Sequence, residues 1–145
     1  MTLTDRIVTL LSADATITTL ATGGVYPEDI RLAGPTAYPA TRAGGFWRPT
    51  VCVDDAGGVA APLGPLGSYA DRLVIWIFAE SSDRTAMDLI ARRVITLLHR
   101  WQDSTTRALL VYGSRVGYQP DPAPLTGALE SITFGVNGIA LGIRT

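Results

Sequence analysis

The chain has 145 residues, 47% of them hydrophobic and only 17% charged, with a formal net charge of −1. That balance leaves no bulk basic field to hold nucleic acid, and a single cysteine, Cys52, rules out an internal disulfide or a cysteine metal cluster. At this length one domain over residues 1–145 is expected, burying roughly 68–70% of the surface its unfolded chain exposes.

The low charged fraction has two readings. It fits a protein that lives against neighbours, because a free monomer usually carries more surface charge. It equally fits uncharged loops, since Gly 15 and Pro 9 dilute the charge. All twelve basic residues are arginine, which we read as a matter of genome composition. No apolar run approaches the ~18–20 residues of a membrane span, and the start of the chain lacks the charged-then-apolar pattern of a signal peptide. The expectation is a soluble protein made in a reducing cytoplasm, with no membrane partner.

In chain order, Thr2-Leu3-Thr4-Asp5 opens like a helix N-terminus, with Thr4 or Thr2 as the cap and Ile7, Val8, Leu10 and Leu11 as the stripe. Ser12-Ala13-Asp14 reads as a stop and a fresh cap for a second helix, Ala15 to Ala21, which Gly23-Gly24 ends. Val25-Tyr26-Pro27 starts an extended segment that reaches no further than Leu32. A turn-rich stretch from Ala33 to Gly45 leads to Phe46-Trp47-Arg48-Pro49 and a modest strand, Thr50 to Asp54. Asp55 to Ala70 is expected to be a long loop, apolar through Val59, Leu63, Leu66 and Tyr69. Loops of that length, when ordered, tend to be working parts.

The centre of the chain is Leu73 to Ala79. As a strand it places Leu73, Ile75, Ile77 and Ala79 on one face and Val74, Trp76 and Phe78 on the other. Neither face is polar, so both need cover. A long helix follows, Ser82 to Trp101, with the stripe Met87, Ile90, Val94, Leu97 and Trp101. Ser81 or Ser82 would cap it, Asp83 would sit at the positive end of its dipole, and His99 and Arg100 would place positive charge at the other. Thr106 to Tyr118 reads as a strand with a bulge at Gly113, and Gln119 to Thr126 as a proline-rich connection. Ile132, Phe134 and Val136 then alternate against Ser131, Thr133 and Gly135. At Asn137-Gly138 the phase flips, which marks a hairpin or a bulge. The fold class is α+β: a mostly antiparallel sheet of four or five strands with helices on one face and a long apolar loop.

Chemistry is sparse. His99 is the lone histidine, and Cys52 lies mid-strand like a small buried hydrophobe. Asp54-Asp55 reads as a turn-initiating pair rather than an acid–base pair, because adjacent strand residues face opposite ways. Glycine pairs at 23–24, 44–45 and 57–58 lack the lysine or helix start of a phosphate loop, and metal-ligand spacings are missing. Arg92, Arg93 and Arg100 alternate with Asp88 and Asp103 and read as a solvated helix face. The expectation is therefore no catalytic residue, no metal and no cofactor. What stands out is an aromatic and apolar surplus: Phe46, Trp47, Arg48, Leu63, Leu66, Tyr69, Trp76 and Phe78 are the candidate binding residues, aromatic and arginine side chains being typical interface anchors. A second, loop-covered core is the competing explanation for the same residues.

Three stretches resemble the tail-terminator or tail-completion proteins of tailed bacteriophages. They are the N-terminal helix running through Leu20-Ala21-Thr22-Gly23-Gly24 into Val25-Tyr26-Pro27, the segment Asp71 to Glu80 with Ser81 and Ser82, and the helix end Leu97-Leu98-His99-Arg100-Trp101. The insert from Asp55 to Ala70 is longer than that family leads one to expect. The resemblance implies a structural virion protein of the neck or tail, put together in the host cytoplasm. It implies a homohexameric ring that stops the tail tube, meets a head-closure or connector protein, and lets DNA pass without specific binding. Two other readings stand beside it: another neck or tail-tube component such as a head-closure protein, and a small non-catalytic protein-binding module.

Overall fold

The computed structural model describes residues 2–30, 42–43, 46–59, 69–105, 107–121 and 127–138. Helix α1 spans Leu3–Ser12 and starts with a reciprocal cap. The Thr2 hydroxyl accepts from the Asp5 amide at 3.1 Å, and the Asp5 carboxylate accepts from the Thr2 amide at 2.9 Å. Asp14 caps α2, Ala15–Leu20, by accepting from the Ile17 amide at 3.0 Å. Strand β1, Gly24–Tyr26, follows a tight turn in which Gly24 takes φ +99, a conformation glycine adopts without penalty.

Strands β2 (Arg42–Ala43) and β3 (Phe46–Trp47) form a small antiparallel pair. The main sheet is built from β4 (Thr50–Val59), β5 (Tyr69–Ala79), β6 (Leu109–Asp121) and β7 (Gly127–Gly138), with β1 at its edge. Its strand order is β1-β4-β5-β7-β6. The β4–β5, β5–β7 and β7–β6 ladders are antiparallel and β1–β4 is parallel, so the sheet is mixed and the architecture is α+β. Three expected boundaries shift. Residues 55–59 and 69–70 are strand rather than loop, because the β4–β5 ladder continues past a bulge between Asp55 and Gly57. Asp54 and Asp55 are accordingly mid-strand, opposite Val74 and Leu73, and start no turn. β6 starts at Leu109 and runs on to Asp121, into the segment read as a connection. The Gly113 irregularity is present between Tyr112 and Ser114. β7 ends at Gly138, and a hairpin beyond it lies outside the described residues, as do Leu63 and Leu66.

Helix α3, Arg84–Leu98, is shorter than expected at both ends. A 3-10 turn, Ser81–Asp83, precedes it, and neither Glu80 nor Asp83 caps through its side chain. At the other end Leu98 is the last helical residue. The His99 Nδ1 accepts from the Tyr112 amide at 3.0 Å, which ties the helix end to β6.

The three helices cover one face of the sheet. Ile7, Leu11, Ile17, Met87, Ile90, Val94 and Leu98 pack on Val51, Val53, Leu73, Ile75, Ile77, Ile132 and Phe134, all buried. The cross-strand pairs Val53↔Ile75 and Ile75↔Ile132 show why: alternation puts these residues on one face. Trp101 and Leu97, expected in the helix stripe, pack at the margin of this core.

A half-covered sheet face and its neighbouring groove

The second face of β5 meets two environments. Phe78 is fully buried in a separate cluster with Ile30, Trp47 and Cys52, flanked by Tyr26, Trp76 and Leu129. The Trp47 and Phe78 ring centroids lie 6.1 Å apart at 44°. The β3–β4 turn makes this possible by folding back beside β5, where the Glu80 amide donates to the Trp47 carbonyl at 3.1 Å. Of the two explanations for these residues, the second core describes this end: Trp47 and Phe78 are shielded by their own chain. Further along β5, Trp76 and Val74 are half-buried, opposite Ser131 and Thr133 on β7. Two strands across, Val116 of β6, opposite Ser131, is 45% exposed. The outer face therefore carries Trp76, Val74 and Val116 among small hydroxyl side chains.

The remaining sequence candidates are placed as follows. Arg48 is exposed and Cys52 buried. Phe46 pairs through its backbone with Ala43, and Tyr69 with Gly138; their side chains lie outside the described residues. Trp47, Arg48 and Pro49 form one lip of a groove of about 300 Å³. The other walls are Thr19, Leu20 and Thr22 from the end of α2, and Glu80, Asp83 and Ala86 from the approach to α3. The structure thus brings Trp47, Arg48, Trp76 and Phe78 to one region, on two sides of the β3–β4 turn.

Gly23 holds that region together. Its amide donates to the Pro49 carbonyl at 2.8 Å and its carbonyl accepts from the Tyr26 hydroxyl at 2.8 Å. A Cβ there would overlap the Thr50 hydroxyl and approach the Pro49 carbonyl to 3.0 Å.

Three arginine–carboxylate links, which pattern reasoning missed, tie the helices to one another, to the connection between α3 and β6, and to the sheet. Arg6 of α1 holds buried Asp103 through two bonds of 2.7 and 2.9 Å. Arg93 of α3 reaches the α2 cap, Asp14, at 2.7 Å. Arg115 of β6 bonds both Asp88 of α3 and Glu130 of β7 at 2.9 Å. Hydrogen bonding from Arg93 holds the Asp14 carboxyl below its ordinary pKa, and Arg115 does the same for Asp88. Burial of the Arg115 guanidinium works against its charge, but its bonds to Asp88 and Glu130 outweigh that, so its pKa is raised. Arg93 had been read as part of a solvated face. Only Glu130, a charge on the apolar side of an alternating strand, left a trace in the sequence.

These carboxylates are each met by an arginine, with Arg115 serving two of them. Among the described residues no group of three His, Cys, Asp or Glu is placed to hold a metal ion, and no helix is long and apolar enough to cross a membrane.

No family model and no curated protein is similar to this chain in sequence. The fold does match a solved one. A chain of the structure titled "Virion of native gene transfer agent (GTA) particle" superposes with a TM-score of 0.62, covering 94% of this chain and 96% of that chain at 16% sequence identity. The two share a fold over nearly their whole lengths.

Proposed function

We propose that this chain is a non-enzymatic structural protein of a virion, and that within the particle it forms a ring, hexameric, at the junction of head and tail. In this reading it caps the tail tube on one side and meets a head-closure or connector protein on the other, while DNA passes through its channel unbound. The observation that carries the coarser reading is the end-to-end fold match to a chain from a virion. The finer one draws on the three stretches that resemble tail terminators, and on a sheet face left half-covered around Trp76, Val74 and Val116. Ring subunits contact head to tail, which calls for two different surfaces on each copy. The outer sheet face is one, and the groove beside Trp47 and Arg48 is the other. A near-neutral charge suits a channel lining that must release DNA.

The test is mass in solution joined to imaging. Six copies of a 15.4 kDa chain give about 92 kDa, so sedimentation at rising concentration should show that species and electron micrographs should show closed rings. A monomer that stays single at every concentration and in the presence of its tube partner would leave a small binding module as the better description.

A further inference from the structure

We propose that residues 99–103 form a strap that shuts part of the outer edge of β6 and opens as a unit, with the ion pair of Arg6 and Asp103 as its latch. β6 ends the sheet, with β7 as its one neighbour in the strand order. In an antiparallel ladder alternate residues aim their backbone groups away from the paired strand, and on β6 these include Leu110 and Tyr112. The strap takes up those groups. The Leu110 carbonyl accepts from the Arg100 amide at 2.7 Å, and the Leu110 amide donates to the Trp101 carbonyl at 2.9 Å. Gln102 pairs with Leu109 in an isolated antiparallel bridge, and the Tyr112 amide donates to His99 Nδ1 at 3.0 Å. The cover stops there: Gly113, Ser114, Val116 and Gly117 are exposed. An uncovered edge is a template for a strand of another chain, so the strap sets how much of β6 is open to one.

Two features prepare the strap to open. Arg100 within it and Arg107 just beyond take φ +67 and +64. Such a backbone is costly for any residue but glycine and persists where the surroundings impose it. What imposes it here is the anchoring of Asp103, only 1% exposed. Arg6 of α1 holds its carboxylate through bonds of 2.7 and 2.9 Å. The Asp103 amide donates to the Ala108 carbonyl at 2.9 Å, and the Asp103 carbonyl accepts from the Arg107 amide at 2.8 Å. Trp101 packs at the margin of the helix core, while Gln102, Ser104 and Thr105 are exposed. The cation of the latch thus belongs to the first helix, 97 positions away. A shift of α1 that withdraws Arg6 strips a buried carboxylate of its partner. Release of the strap returns that carboxylate to water and relaxes Arg100 in the same movement. The N-terminal helix and the edge of β6 are coupled in this way.

Native-state hydrogen exchange of the 15N-labelled protein reads the strap directly. The amides of Leu110 and Tyr112 are bonded to it, whereas that of Val111 between them turns toward β7. Arg6→Gln with Asp103→Asn removes both charges at little change of shape. In that double variant Leu110 and Tyr112 should exchange about tenfold faster relative to Val111, and to Ile90 and Val94 of α3, which report any general loss of stability. Arg100→Gly relaxes the positive φ and should slow Leu110 and Tyr112 about fivefold, while Arg100→Lys keeps the strained backbone and should not. Leu110 and Tyr112 keeping step with Val111 and α3 in the double variant would overturn the proposal, because the strap would then open only with the whole fold. Arg100→Gly and Arg100→Lys acting alike would overturn it too, since the strap would then hold no strain to release.

Discussion

Arg115 and Glu130 permit a quantitative test of how the sheet is held under α3. The Glu130 side chain is only 4% exposed and faces the helix layer, since it sits opposite Ile77 on β5. Its charge is met by Arg115, 22% exposed, which also binds Asp88 of α3 at 2.9 Å. Arg115→Leu strips a buried carboxylate of its cation. Losses of that kind run to 3–5 kcal/mol, and the partial exposure of Arg115 places this one at the lower end, about 3 kcal/mol. For a chain of this size that lowers the melting temperature by roughly 6–12 °C. Glu130→Leu leaves Arg115 with Asp88 and should cost about 1 kcal/mol. The double variant removes both charges from the interior and should lie within about 1 kcal/mol of the parent. Urea unfolding of all four proteins yields the coupling as a double-mutant cycle. If the two single losses simply add in the double variant, the pair does not act as a buried unit and the reasoning fails.

The two halves of the outer β5 face should respond differently. Phe78→Ala opens a cavity beside Trp47 and Ile30 and should cost about 3–5 kcal/mol in urea, whereas Trp76→Asp should leave the fold largely stable and impair assembly; a Trp76→Asp variant that unfolds would make Trp76 ordinary core. Gly23→Ala, forced against the Thr50 hydroxyl and the Pro49 carbonyl, should cost on the order of 1–3 kcal/mol, and a variant as stable as its parent would show that the turn relaxes freely. Asp14 and Asp88 have folded pKa values below 3.8. Between folded and ordinary values the unfolded chain binds more protons, so stability rises with pH there. Their contribution is complete above the ordinary carboxylate pKa and lost as pH falls through the lowered ones. Asp14→Asn should flatten that acid slope in urea midpoints taken between about pH 2 and 6, and an unchanged slope would remove Asp14 from the account.

Periodicity made the helices, the helix-facing side of β5 and the alternation of β7 legible, because each follows from burial of one stripe. Element ends were less legible. β4 carries on through Gly57 and Gly58, residues that argue for a turn, because the facing strand Tyr69–Ala79 supplies a long ladder for them to join. Ser81 and Ser82 look like caps, yet the chain takes a 3-10 turn before α3 begins. At the site, alternation sorted Trp76 and Phe78 correctly to one face but could not say which is covered. That depends on Trp47, some thirty positions earlier, folding back beside β5. The arginine links were invisible for the same reason: Arg6 and Asp103 are 97 positions apart, and Asp103, read with Asp88 as part of a solvated face, is buried instead.

The placement of these links bears on function. One joins α1 to Asp103 in the connection between α3 and β6, one joins α3 to the α2 cap, and one joins α3 to β6 and β7, so the helix layer is tied within itself and, through Arg115, to the sheet. The opposite face has no comparable fastening among the described residues beyond the Trp47–Phe78 cluster at one end. In the proposed ring, that division would let a rigid face set the angle between neighbours while the half-covered face accepts them. In a heterologous ring, closure depends on a constant angle from copy to copy. Weakening the Arg115 link should therefore broaden the range of assemblies formed, through open arcs and rings of other sizes, before it abolishes assembly. Loss of Trp76 should instead reduce the amount of assembly without altering its geometry.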